Sequence, residues 1–248
     1  EAHIVRLRLD HEFAEGLTLN LAGQYAHYDK YYANILPASA TATTVTLSGY
    51  DSAATRENWI GQANLVWKGR TGGTGHTVLA GIEAADQSSA ADRRNARFAL
   101  AGGGTSTTIT VPLAQTLTLP AISWSGLATN SRSKVQSLSF FVQDQVELAP
   151  WLQVIAGIRH DRFEIAATNL LTAAATGRTD AMWSPRFGLI VKPRPNLSVY
   201  ASYAKSFLPQ SGDQFAVLDA STATLAPEEF RNVEAGVKWD ASDALAFT

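Results

Sequence analysis

WSPRFGLIVKPRPNLSVYASYAKSFLPQ, residues 183–210, is the stretch on which the fold turns. Phe187, Leu189 and Val191 occupy alternate positions, and beyond a Pro193–Asn196 connection so do Leu197, Val199, Ala201 and Tyr203. The positions between them hold Arg186, Gly188, Ser198, Tyr200 and Ser202. Successive side chains of a strand point to opposite faces, so each run has one apolar and one polar face. In a soluble sandwich the apolar face meets a core; in a membrane barrel it meets lipid and the polar face lines water.

Composition narrows the choice. The 248 residues make one large domain or two small ones, and 20 Lys+Arg against 22 Asp+Glu give a net charge of −2, so no nucleic-acid partner is expected. Cysteine is absent, which excludes disulfides and thiolate metal sites. The chain starts at Glu1, its single methionine is Met182, and no basic-then-apolar leader opens it; a signal peptide is expected to be absent or already removed. No run approaches the ~18–20 apolar residues of a membrane helix. A barrel stays open, because its alternating strands keep hydropathy near neutral.

The alternation recurs along the chain. Val5, Leu7, Leu9 and Phe13 alternate with Arg6, Arg8, Asp10 and Glu12; after Ala14-Glu15-Gly16, Leu17, Leu19, Leu21 and Tyr25 do the same. Trp59, Ala63, Leu65 and Trp67 lead through a glycine-rich turn to Val78, Ala80 and Ile82. Leu138, Phe140, Val142, Val146 and Leu148 turn at Pro150 into Leu152, Val154, Ala156 and Ile158; Asp144 interrupts that face, implying a bulge or a local partner. Val233, Ala235, Val237 and Trp239 close the series. The expectation is all-β: about ten antiparallel strands in five hairpins, each long enough for the ~9–11 residues of a tilted membrane strand. The turns at one end are short, and the connections at the other, over 29–56, 88–134, 164–180 and 206–230, are expected to be long loops, as in outer-membrane barrels.

Several blocks carry a family resemblance. FVQDQVEL with VIAGIRHDRF, HTVLAGIE at 76–83, SPRFGLIVKPRPNLSVYASYAKSFLPQSGDQF and LAPEEFRNVEAGVKWD occur in order. They resemble the barrel hairpins of TonB-dependent outer-membrane siderophore receptors, and the GDQF ending resembles the catecholate-type receptors most. His160 and Val233 stand where that family usually has Tyr and Tyr or Phe, both on strand faces. The resemblance implies that residues 1–248 are part of the β-barrel domain, an open half-barrel portion of a ~22-stranded transmembrane barrel. The plug domain with its TonB box, and the closing strands, are not recognised in the sequence.

The function implied is binding of a ferric siderophore at the outer rim and its import into the periplasm, with energy from the TonB–ExbB–ExbD complex through the plug. It also implies location in the outer membrane of a Gram-negative bacterium, contact with its lipid and lipopolysaccharide, and no cofactor, since the siderophore carries the iron. The loop residues fit an anionic ligand. Between Ser88 and Lys134, Arg93, Arg94, Arg97, Arg132 and Lys134 oppose only Asp92. Trp124 and Phe98 there, with Tyr28, Tyr31 and Tyr32 in the first loop, offer rings to pack on. The candidate ligand contacts are Tyr31, Tyr32, Arg93, Arg94, Arg97, Trp124, Gln210 and Phe215; binding of lipopolysaccharide phosphates is the competing use of the arginines. Arg159, Asp161, Arg186, Tyr200 and Ser202 are expected to face the lumen and the plug, where paired wall charges are the simpler reading.

An enzyme is not expected. The five histidines show no metal-binding spacing, GxSxG is absent, and adjacent His160 and Asp161 point to opposite faces of a strand. The functional alternative is a passive outer-membrane porin or diffusion channel.

Overall fold

The computed structural model describes residues 1–209, 225–242 and 244–248. The strands are β1 (Ala2–Ala14), β2 (Leu17–Ala40), β3 (Thr44–Thr71), β4 (Thr74–Ala99), β5 (Thr105–Ser106), β6 (Thr108–Pro112), β7 (Ile122–Ala149), β8 (Leu152–Asn169), β9 (Ala174–Arg194), β10 (Leu197–Leu208), β11 (Glu228–Ser242) and β12 (Leu245–Phe247). All join one antiparallel sheet, in which ten follow the path β1-β2-β3-β4-β7-β8-β9-β10-β11-β12. The short β5 and β6 attach beside it, to β4 and β3. Among the described residues β1 and β12 do not pair with each other, so the sheet is an open portion of a barrel wall.

The sheet is built inside out. Leu7 and Val233 are 76% and 77% exposed, and Phe140, Trp183 and Phe187 are exposed too, all at the alternating apolar positions. So wide an apolar surface on one face of a long-stranded sheet is what lipid contact requires. Aromatic side chains flank the band. Toward the long-hairpin end Tyr25 packs on Trp59 and His160 on Trp183, each pair with ring centroids 4.5 Å apart. Toward the short turns Trp67 stacks near His76 and Trp239 on Phe247.

The tight turns follow from local chemistry. Glu15–Gly16 joins β1 to β2, with a register shift between Glu12 and Ala14. Gly16 adopts φ 78°, and a Cβ there would lie 2.3 Å from the Lys68 carbonyl oxygen, so only glycine fits. Pro195 and Asn196 join β9 to β10, where the missing proline donor lies outside the ladder.

The long connections do not behave as loops. Residues 29–40 and 44–56, 88–99 and 122–134, and 164–169 and 174–180 continue the strands. The 28 residues of β3 and of β7 are far more than the ~9–11 that cross a bilayer. Beyond the lipid no solvent forces one face to be apolar, so the alternation fades while the backbone ladder persists. The β2–β3 ladder runs from Leu17–Trp67 to Ala40–Val45, shifting register only between Pro37 and Ser39, where proline has no donor to give. At its tip the Thr41 hydroxyl accepts from the Thr43 and Thr44 amides at 3.3 and 3.0 Å. Asn169 closes the β8–β9 tip similarly, its Oδ1 accepting from the Leu171 amide at 2.9 Å. The 206–230 connection falls largely on residues outside the described set.

Asp144 is explained by a partner rather than a bulge. Its strand keeps register with β4 through Val78, and its Oδ2 lies 2.7 Å from Nδ1 of His76 on the same face.

Candidate ligand-binding rim and lumen wall

Strand alternation sorts the candidate residues onto two faces. Tyr31 and Arg94 continue the apolar-belt face above the lipid zone, where both engage Asp51. Asp51 is 1% exposed; it accepts from the Tyr31 hydroxyl at 3.2 Å and from Arg94 Nε at 3.1 Å, and it pairs with Arg94 Nη2. Asp51 and Arg94 are direct ladder partners. Burial works to raise the Asp51 carboxyl, but hydrogen bonds and charge from Arg94, with the Tyr31 hydroxyl, outweigh it and hold the group below the usual carboxylate range. On that face Leu47, Ala96 and Phe98 are buried, in the outer hairpins that β5 and β6 join. Tyr31 and Arg94 therefore serve an internal ion-pair network.

Tyr32 and Arg93 lie on the opposite, polar face at the same outer height. The Arg93 guanidinium sits 4.0 Å over the Tyr50 ring, Tyr50 meets Tyr32 edge-on at 5.9 Å, and Lys30 Nζ lies 4.9 Å from the Tyr32 ring centre. A hydrogen bond with Ser52 leads in lowering the Tyr32 phenol below its ordinary value, with Tyr50, Arg93 and the Lys30 charge adding and burial opposing. Two cations over two phenol rings form a compact, electropositive aromatic patch. Arg97 is exposed two turns of the pleat further along β4, and Trp124 is half-buried opposite Ala96 on the other face. Gln210 and Phe215 lie outside the described residues, as do Asp213 and the rest of the GDQF block. Glu229, on the edge of that segment, is paired with Lys205 at 2.7 Å and Arg231 at 2.6 Å.

Within the belt zone the polar face carries a connected wall network. Arg159 Nε donates to Asp161 Oδ1 at 2.7 Å, and its Nη2 donates to Ser139 at 2.8 Å and reaches Glu83 at 3.3 Å. The Ser139 hydroxyl donates to the same Asp161 oxygen at 2.6 Å. Arg186 donates to Gln143 at 2.9 Å and Tyr200 to Glu234 at 2.8 Å, while Ser202 is the ladder partner of Gly188 and Glu234.

The glycines on this face do not stand clear. A Cβ at Gly81 would meet the Phe141 ring at 2.4 Å, and one at Gly236 the Tyr200 hydroxyl at 2.5 Å. The space over these two glycines is filled by neighbouring side chains lying along the wall. The polar face also has an apolar island, Val135, Phe163, Ile165, Ala167 and Met182, against which Phe207 packs. It borders a cavity of about 1020 Å³ that also touches Asn58, Gln87, Arg159 and Arg186. Among the described residues no cluster of His, Asp and Glu has the makings of a metal site.

Lys30, Tyr50, Asp51, Glu83 and Ser139 escaped the sequence reading. Extending the alternation of β2, β3 and β4 past the lipid zone would have put Lys30, Tyr50 and Arg93 on one face. The Asp51–Arg94 pairing depends on ladder register across 43 positions, for which the sequence carries no local signal.

The family described as TonB dependent receptor-like, beta-barrel, matches residues 1–248. A probable TonB-dependent siderophore receptor, PiuA of Acinetobacter baumannii, is 26% identical over 98% of this chain and 36% of its own length. The chain thus spans little more than a third of that relative. The crystal structure of the siderophore receptor PiuA from Acinetobacter baumannii superposes with a TM-score of 0.83 at 24% identity, over 98% of this chain and 38% of that one. The crystal structure of the closed form of Fiu, the ferric-catecholate import receptor from E. coli K12, gives 0.79 at 16% identity, over 98% of this chain and 38% of that one. At these identities the solved structures establish the fold alone.

Proposed function

Because the chain belongs to the TonB-dependent receptor β-barrel family, we propose that it forms part of the wall of an outer-membrane receptor that binds a ferric siderophore and imports it into the periplasm with energy from TonB–ExbB–ExbD. In this reading residues 1–248 are a portion of the barrel domain, completed by further strands and by a plug. The protein sits in the outer membrane of a Gram-negative bacterium, its apolar belt against lipid.

The observation that carries the reading is the polar-face patch of Lys30, Tyr32, Tyr50 and Arg93 at the outer rim. Ferric siderophores of the catecholate type are anionic and aromatic, and such a ligand is matched by cations that already lie over rings. Tyr32 and Arg93 are the contacts favoured; Tyr31 and Arg94 are assigned to holding the hairpin, and the Asp51 pair is the reason. The relatives described above are named as receptors, which favours energised uptake over passive diffusion.

The test is radioactive iron uptake by an iron-starved strain lacking its own receptors and carrying the complete gene. A ferric tris-catecholate should enter, and collapsing the proton gradient should stop it. Arg93→Gln should weaken capture about tenfold, the loss of one charge-assisted contact. Entry that ignores the proton gradient would overturn the energised-import reading, and rescue by hydroxamates alone the catecholate assignment.

A further inference from the structure

Three polar atoms on the lumen-facing wall are buried without a hydrogen-bond partner: Asn58 Oδ1, Gln87 Nε2 and Ser89 Oγ. They are neighbours. Asn58 and Gln87 are direct partners in the β3–β4 ladder, and Ser89 is the next residue of β4 on the same face. Gln87 is 9% exposed, so its amide has little access to solvent. Unmade hydrogen bonds of this kind are costly, and three together mark a place where something else completes them.

The surroundings define what that is. Asn58 and Gln87 line the 1020 Å³ cavity together with Phe163 and Met182, and Tyr28 and Arg56 connect it to the adjoining hollow that Ser89 lines. The ladder continues Asn58–Gln87–Val135–Ile165 across the wall, so two side-chain amides adjoin an apolar row. Asn58 offers an acceptor and Gln87 a donor, the complement of the N–H and C=O of one secondary amide. The apolar row beside them suits the flat arm to which such an amide is attached.

We propose that Asn58, Gln87 and Ser89 form an inner ligand station on the lumen wall, which takes an amide group of the ferric chelate after its capture at the rim. This rests on the receptor reading above and adds to it a requirement for an amide-bearing ligand. Chelates without amide linkers pass the station without holding it.

The test uses the complete receptor and two iron probes: the ferric complex of a tripodal 2,3-dihydroxybenzamide, and ferric tris-catechol, which has no amide. Gln87→Leu and Asn58→Leu keep the side-chain size and remove the hydrogen bonds. Import of the benzamide complex should fall about tenfold in each, while capture at the rim and import of the amide-free complex change less than twofold. Unchanged benzamide import would overturn the station. So would an equal loss for both probes with a lowered melting temperature of the ligand-free receptor, because the amides would then be holding protein, such as the plug, rather than ligand. If the unsubstituted receptor captures neither probe, the catecholate assignment fails first and the station with it.

Discussion

Placing an arginine on each face of the wall at one height tests which face meets lipid. Ile82 is the ladder partner of Ala63, which lies midway between Trp59 and Trp67 on β3. Four residues at ~3.3 Å each, tilted by ~40°, put Ile82 about 10 Å from either aromatic row, close to the middle of the apolar band. It is exposed on the apolar face. Ile82→Arg should therefore cost ~2–4 kcal/mol, and Ser88→Arg, on the same face beyond the Trp59 row, only ~0–1 kcal/mol. Gln62 is on the polar face and is the ladder partner of Glu83, so Gln62→Arg gains a facing carboxylate and should shift stability by no more than ~1 kcal/mol. The assay is guanidinium unfolding of the complete receptor folded into phosphatidylcholine vesicles, followed by tryptophan fluorescence. Equal costs for Ile82→Arg and Gln62→Arg would refute lipid contact; a larger cost for Gln62→Arg would mean that the faces are reversed.

Two further outcomes follow from the outer hairpins and the wall. The Asp51 carboxyl has a folded value below its unfolded ~3.9, so its contribution is complete above that pH and is lost as pH falls through the folded value. Amide protection factors over residues 45–55 and 90–98, with the intrinsic pH dependence of exchange divided out, should therefore hold steady from pH 7 to about 5 and fall below ~3.9, and Asp51→Asn should abolish that step; a step that survives the substitution belongs to another group. Gly81→Val should destabilise the receptor by ~1–3 kcal/mol through collision with Phe141, and Phe141→Ala in the same chain should recover part of the loss. An additive double variant would show that the ring does not lie over Gly81.

The sequence revealed the lipid-crossing part of the fold because lipid imposes a pattern on it. Wherever one face must be apolar, as at Phe187–Leu189–Val191, the period of two is written into the residues. Above the lipid that pressure is gone, and stretches such as 33–40 keep their ladder without a sustained alternation. Wall residues Arg159, Asp161, Arg186, Tyr200 and Ser202 were accessible through the same parity. Their actual partners, Glu83, Ser139, Gln143 and Glu234, come from other strands and follow from register, which a single sequence encodes only through its turns. The rim residues divided for a related reason: Tyr31 and Tyr32, or Arg93 and Arg94, are equivalent by composition, yet a one-residue step sends each to a different side of the sheet.

The upward continuation of β2, β3, β4 and β7 has a consequence for ligand capture. A loop that must be ordered around its ligand loses conformational freedom at the moment of binding, which weakens the complex. Here the backbone on both sides of Tyr32, Tyr50 and Arg93 is already fixed by ladder hydrogen bonds when the chain folds. In the function proposed above, capture at this rim is closer to docking on a preformed surface than to coupled folding. Its calorimetric signature should be a small heat-capacity change, confined to the area of the ligand itself.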